Sequence, residues 1–213
     1  MTAHEHDHPV FDREFWEQRY ADGMGSAGVN PQLIEYTADL VPGRALDAGC
    51  GVGSDAIWLA ERGWQVTATD IAEGALKLAR ERAEVLDPAV AARIDWQRAD
   101  LTESEPVGEF ELVCSHYVHP TGSHTEFVGR LAAAVAPGGT LLLVDHQPGG
   151  DHKHRDERAP MVFRSAAELG AALDPDRWEI VFAGERTRTV TGHDGHEHTL
   201  DDAILVARNT AAR

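Results

Sequence analysis

Short apolar runs alternate with amphipathic stretches along most of the chain. The runs at 44–48, 64–69, 93–98, 110–115 and 139–145 have the length of strands. Between them lie helical signals. Ser54 caps a segment that stops at Gly63, and residues 72–86 carry Ala75, Leu76, Leu78, Ala79 and Ala83. Ser123 with Glu126, and Ser165 with Glu168, have capping-box spacing. Strands separated by helices predict a parallel sheet with helices on both faces.

Two features frame this core. Upstream, Phe11, Phe15, Trp16 and Tyr20 share a broad helical face, and the glycine-rich DGMGSAG follows. A second helix starts at Asn30, a good N-cap, with Pro31 at the first helical position, and its apolar pattern runs to Leu40. Downstream, runs at 178–190 and 197–208 leave no room for a crossover helix, and Asp194-Gly195 is a hairpin signal. Parallel neighbours need a long crossover, so this last pair must be antiparallel. The expectation is one domain over 11–213, with 11–41 as cap helices and 1–10 as a tail.

Composition changes this picture only by exclusion. With 19 basic against 36 acidic residues the net charge is −17, which opposes partners held by phosphate neutralisation, so neither nucleic acid nor an anionic membrane is expected. Cys50 and Cys114 form no C-x-x-C pair, and no apolar run reaches membrane-spanning length. A cytoplasmic protein, monomer or homodimer, is expected.

The candidate chemistry gathers at strand ends. LDAGCGVGSD sets glycines at 49, 51 and 53 between a strand and a helix, with Asp47 just before them. Ser54 stands where a pyrophosphate-binding G-x-G-x-x-G has its last glycine, and the carboxylate suits a positively charged ligand better than two phosphates. Asp70 ends the second run at the offset where a carboxylate takes ribose hydroxyls, and the third leads to Asp100. A nucleoside ligand is therefore expected, although Asp47 and Asp100 could equally serve their own turns.

The motifs LDAGCGVG, VTATDIA, RADL, FELVCSHYVHP and LAAAVAPGGTLLLVDH occur in the order found in class I S-adenosylmethionine-dependent methyltransferases, which the chain resembles over residues 11 to 208. The resemblance implies a doubly wound, seven-stranded Rossmann-like α/β sheet of order 3-2-1-4-5-7-6. It implies S-adenosylmethionine as cofactor, S-adenosylhomocysteine as product and a small-molecule acceptor. Carried over by residue, Asp47, Gly49, Cys50, Gly51 and Gly53 would line the methionine part, and Asp70 would hold the ribose with Ile71 against the adenine. Asp100 and Leu101 would complete the adenine site, and Ser115 would lie beside the methionine. FWEQRY is similar to the N-terminal helix of the thiopurine and tellurite-resistance type, so Trp16 and Tyr20 would cover the cofactor and Arg19 would meet its carboxylate. The other reading of these aromatics is core packing.

In such folds the segment after the fourth strand faces the methyl group. Here it reads SHYVHP, which makes His116 and Tyr117 the candidate catalytic residues, joined by His146 at the end of the fifth run. His124 lies beyond a turn from His116 and His119, and no metal is expected. The long QPGGDHKHRDERAPMVF is either a lid or a surface insertion. Two rival functions stand beside methyl transfer: a non-catalytic cofactor-binding subunit, and a nicotinamide-dependent oxidoreductase.

Overall fold

A computed structural model describes residues 11–24, 28–147, 164–191 and 197–211. The expected tail at 1–10, most of the segment from 147 to 163, and the Asp194-Gly195 turn lie outside the described residues.

Seven strands form one sheet of order β3-β2-β1-β4-β5-β7-β6. They are β1 (Arg44–Ala48), β2 (Gln65–Asp70), β3 (Ile94–Arg98), β4 (Phe110–His116), β5 (Val135–His146), β6 (Trp178–Thr191) and β7 (Glu197–Asn209). The first five are parallel, and β7 runs antiparallel to both β5 and β6. This is the expected topology. The chain reverses direction across the sheet at β1 and β4, whose carboxyl ends form the crevice where open α/β sheets bind ligands.

Helices α3 (Ser54–Glu61), α4 (Glu73–Leu86) and the short α5 (Pro88–Ala91) cover one face. There Leu59, Leu76 and Ala83 pack on Val66, Leu112 and Leu142. On the other face α6 (His124–Ala133) and α7 (Ala166–Gly170) bury Phe127, Leu131 and Leu169 against Val113, Leu141 and Leu205. The two cap helices are α1 (Arg13–Ala21) and α2 (Pro31–Thr37).

Several local expectations shift. The N-cap of α3 is Gly53, left-handed at φ 80°, and Ser54 Oγ instead accepts from Arg82 at 3.4 Å. Ser123 accepts from Glu126 N but Glu126 turns to Arg130, so only Ser165 and Glu168 close a full capping box. β5 begins at Val135 rather than 139: Val135 pairs with Phe110, and a register shift between Phe110 and Leu112 accommodates the intervening Pro-Gly-Gly. Helix α2 stops at Thr37, whose hydroxyl donates to the Leu33 carbonyl at 2.6 Å. Asn30 and Pro31 hold their expected places, with Asn30 Oδ1 accepting from Gln32 N.

Candidate active site

The turn after β1 is built by the main chain. Gly49 N and Cys50 N both donate to the Thr69 carbonyl, at 2.8 and 2.9 Å, tying the loop to β2. Gly49 sits at φ 82°, and a Cβ there would meet Val118 Cγ2 at 2.2 Å, so only glycine lets the loop pass beneath the exit of β4. At Gly53 a Cβ would strike Trp96 and Ala79, which makes that position one of helix–sheet packing. Cys50 is buried in the core, where burial first, and then the charges of Asp47 and Asp70, push its thiol well up.

A cavity of about 230 Å³ opens over these turns. Gly49, Asp70, Ile71, Asp100 and Leu101 line one side, Trp16 and Tyr20 of α1 another, and His116, Tyr117 and His119 the far end. Asp70 accepts from Gly51 N at 2.8 Å through Oδ2 and from Ala72 N at 2.9 Å through Oδ1. A carboxylate can accept about four hydrogen bonds, so both oxygens keep capacity for hydroxyl donors. Burial raises its pKa, and these backbone donors oppose the shift. Asp100 spends Oδ1 on Thr102, accepting from the amide at 2.9 Å and the hydroxyl at 2.6 Å. It therefore serves its own turn and lines the cavity at once.

Helix α1 is fastened across the cleft by Glu17, whose carboxylate accepts from Glu73 N and Gly74 N, the first two amides of α4. The hold brings Tyr20 against the loop: a Cβ on Gly51 would lie 2.8 Å from the Tyr20 hydroxyl. Arg19 does not line the cavity, and its guanidinium lies 5.5 Å from the Phe15 ring centroid.

Strand alternation sorts the candidates on β4. Ser115 points to the α6 face, donating to the Ala48 carbonyl at 3.0 Å, away from the main cavity. His116 points to the α3 face, where Nδ1 lies 2.7 Å from Asp55 Oδ2. Alternation would send Tyr117 after Ser115. Instead Tyr117 takes a left-handed φ of 57°, unique among the described non-glycine residues, and its ring packs on the α3 side. Its hydroxyl donates to Asp202 Oδ2 at 2.9 Å, and Arg188 Nε donates to the same oxygen at 2.7 Å. Burial raises the Tyr117 pKa, the nearby Arg188 lowers it, and the net shift is upward.

His146 stacks on Tyr117 with centroids 4.4 Å apart, behind the cavity wall rather than in it. His119 lies between the Trp16 ring, at 7° to its plane, and His146. Burial lowers its pKa, which favours a neutral ring. His124 caps the other side, its Nε2 3.6 Å from Asp145. The histidines of this segment thus divide among different partners, and no metal-ligating cluster forms among the described residues.

Three carboxylates act on His116: Asp55, Asp47 and Asp202. Asp47 is 2% exposed, its Oδ2 has no hydrogen-bond partner, and burial first, then the charge of Asp55, raises its pKa to about 7. Asp55 and Asp202 escaped the sequence reading. Asp55 carried no signal beyond an acid in the first turn of a helix; Asp202, a charge within the apolar DDAILVA, was the more visible of the two.

Residues 45–139 match the family model described as "Methyltransferase domain". That stretch, a little under half of the chain, is similar to a methyltransferase domain. A ubiquinone biosynthesis O-methyltransferase of Alkalilimnicola ehrlichii is 30% identical over 146 residues, 65% of this chain and 59% of that protein. One from Xanthomonas campestris is 34% identical over 119 residues, 54% of this chain and 49% of that protein. The chain thus spans between about half and three fifths of these relatives. Among solved structures, one from work on converting a disulfide bond into a thioacetal group during echinomycin biosynthesis superposes with TM-score 0.72 at 20% identity, covering 92% of both chains. TehB from Haemophilus influenzae gives 0.69 at 16% identity over 91% of this chain and 67% of its own. Magnesium protoporphyrin IX methyltransferase from Synechocystis, solved with bound SAH, gives 0.63 at 23% identity over 92% and 97%. These structural likenesses concern the methyltransferase fold.

The residues of the domain fit a cationic nucleoside cofactor. Asp70 ends β2 and Asp100 follows β3, both lining the cavity with Ile71 and Leu101, Gly49 leaves room that a Cβ would fill, and the buried Asp47 oxygen lacks a donor. The acidic lining suits a sulfonium and an ammonium group and opposes a pyrophosphate.

Proposed function

We propose that the chain transfers a methyl group from S-adenosylmethionine to a small-molecule acceptor, yielding S-adenosylhomocysteine. The observation that carries this reading is one cavity lined by Asp70 and Asp100 at one end and by His116 and Tyr117 at the other. When bound, the cofactor supplies an electrophilic methyl group on sulfur for in-line displacement. The chain's own work is alignment and exclusion of water. Asp70 takes the ribose hydroxyls on its remaining lone pairs, and Ile71, Leu101 and Asp100 hold the base. Gly49, Gly51 and Asp47 border the methionine portion, while Trp16 and Tyr20 close over it from α1.

His116 and Tyr117 face the acceptor. His119, between Trp16 and His146, gives that end an aromatic wall suited to a flat acceptor. The net charge of −17 supports a small molecule over a nucleic acid. No described helix is long and apolar enough to cross a membrane. In this reading one domain runs from residue 11, capped by 11–41, and works in the cytoplasm as a monomer or homodimer.

Titration calorimetry with S-adenosylmethionine, S-adenosylhomocysteine and NAD tests the reading. Binding of the first two without NAD is expected; binding of NAD alone overturns it. Methyl transfer from labelled cofactor to a panel of catechols, thiols and iodide then separates an enzyme from a binding subunit, which would hold the cofactor and label nothing.

A further inference from the structure

We infer that Asp55 is a positioning residue that holds His116 as its Nδ1–H tautomer, leaving Nε2 to take a proton from an acceptor whose nucleophile is a hydroxyl or thiol. The inference rests on the methyl-transfer reading and narrows its acceptor class. Its basis is geometric. Asp55 comes from the first turn of α3 and His116 from the end of β4, 61 residues apart, yet Oδ2 and Nδ1 meet at 2.7 Å. The contact is sheltered, with the His116 side chain 6% exposed and that of Asp55 15% exposed. The other oxygen of Asp55 accepts from Asn30 N at 2.8 Å, so α2 fixes the carboxylate from behind. A carboxylate can only accept, so the neutral imidazole must carry its hydrogen on Nδ1.

Nε2 is then the basic nitrogen, and it is buried without a hydrogen-bond partner. The ring lines the cavity beside Tyr117. A buried acceptor atom left unmatched costs free energy unless something meets it, and an O–H or S–H of a bound acceptor would do so. As the acceptor's oxygen or sulfur bonds to the methyl carbon, the methyl–sulfur bond of the cofactor breaks and its electron pair stays on that sulfur. The acceptor's proton passes to Nε2, and the imidazolium formed is held by Asp55. A halide or a fully ionised oxyanion has no proton to give and would leave Nε2 unmatched.

The groups facing His116 set its titration. Burial lowers its pKa; the Asp55 hydrogen bond and charge, then Asp47 from β1 and Asp202 from β7, raise it, and the net shift is upward from 6.5. Arg188 in turn offsets Asp202. Long-range nitrogen–proton NMR on the full chain reads the tautomer directly, with His116→Gln identifying the resonance. The expected result is a neutral form protonated on Nδ1, titrating above 6.5, with a midpoint that falls in Asp55→Asn and recovers partly in Asp55→Glu. A neutral form protonated on Nε2, or a midpoint unmoved by Asp55→Asn, overturns the inference. The wild-type tautomer alone decides if the variants fail to fold. Failure of cofactor binding in calorimetry would overturn the methyl-transfer reading while leaving the tautomer result intact, so the two can fail separately.

Discussion

The two ends of the cavity are held in different ways. At the β1–β3 end the carboxylates lean mainly on main-chain donors of the adjoining turns: Asp100 on the amide, and also the hydroxyl, of Thr102, two residues on, and Asp70 on the amides of Ala72, two residues on, and Gly51, nineteen residues back. At the β4–β7 end they pair with side chains from remote segments, Asp55 with His116 across 61 residues and Asp202 with Tyr117 across 85. Backbone amides are present whatever the side chains, so the first end can keep most of its donors in many sequences. Side-chain pairs must be assembled together, so the second end can vary with the acceptor.

Breaking a remote pair should cost most. Arg188→Ala leaves Asp202, which is fully buried, with Tyr117 as the remaining donor to Oδ2, and a loss of about 3–5 kcal/mol in urea unfolding is expected. A cost no larger than that of a surface substitution would erase the contrast between the two ends. Gly49→Ala probes the seam between them. It places a Cβ in left-handed backbone against Val118, so about 1–3 kcal/mol should be lost, partly recovered in the double variant with Val118→Ala.

Asp70→Ala should act on binding more than on the acceptor end, weakening S-adenosylhomocysteine by about 1–3 kcal/mol in calorimetry. An unchanged affinity would remove Asp70 from the ribose. The smallest effect concerns pH. The folded pKa of Asp47, about 7, lies above its ordinary 3.8, so the fold prefers the protonated acid. That contribution is complete below 3.8 and is lost as pH rises through about 7. His116, also raised, acts in the same direction, its contribution being lost as pH climbs through its folded value. The melting temperature without cofactor should therefore fall as the solution passes from mildly acidic to mildly alkaline. Asp47→Asn should flatten that slope.

The same contrast explains what could be read from the chain. Strand runs, the Asp70 offset and the terminal hairpin are local or periodic, and they predict the parallel sheet and its antiparallel end; the order of the seven strands, which the sheet shares, is what the family resemblance implies. Asn30 and Ser165 likewise carry their caps within three residues. The pairing of Asp55 with His116 has no periodicity, because it depends on how α3 crosses the end of β4. Tyr117 shows the limit most sharply: a strand's alternation assigns it to the α6 side, and a single backbone angle moves it to the other. Ser115, expected beside the methionine, follows the alternation and spends its hydroxyl on Ala48.

That angle also limits which sequences can share this pocket. A left-handed position disfavours β-branched side chains and admits glycine or asparagine with the least strain. Variants that drift at residue 117 are therefore steered by the main chain toward a short list of replacements, each of which gives up the hydroxyl held by Asp202. New acceptor preferences should arise more readily at His119, Thr121 or Phe11, cavity-lining residues with no left-handed backbone to satisfy.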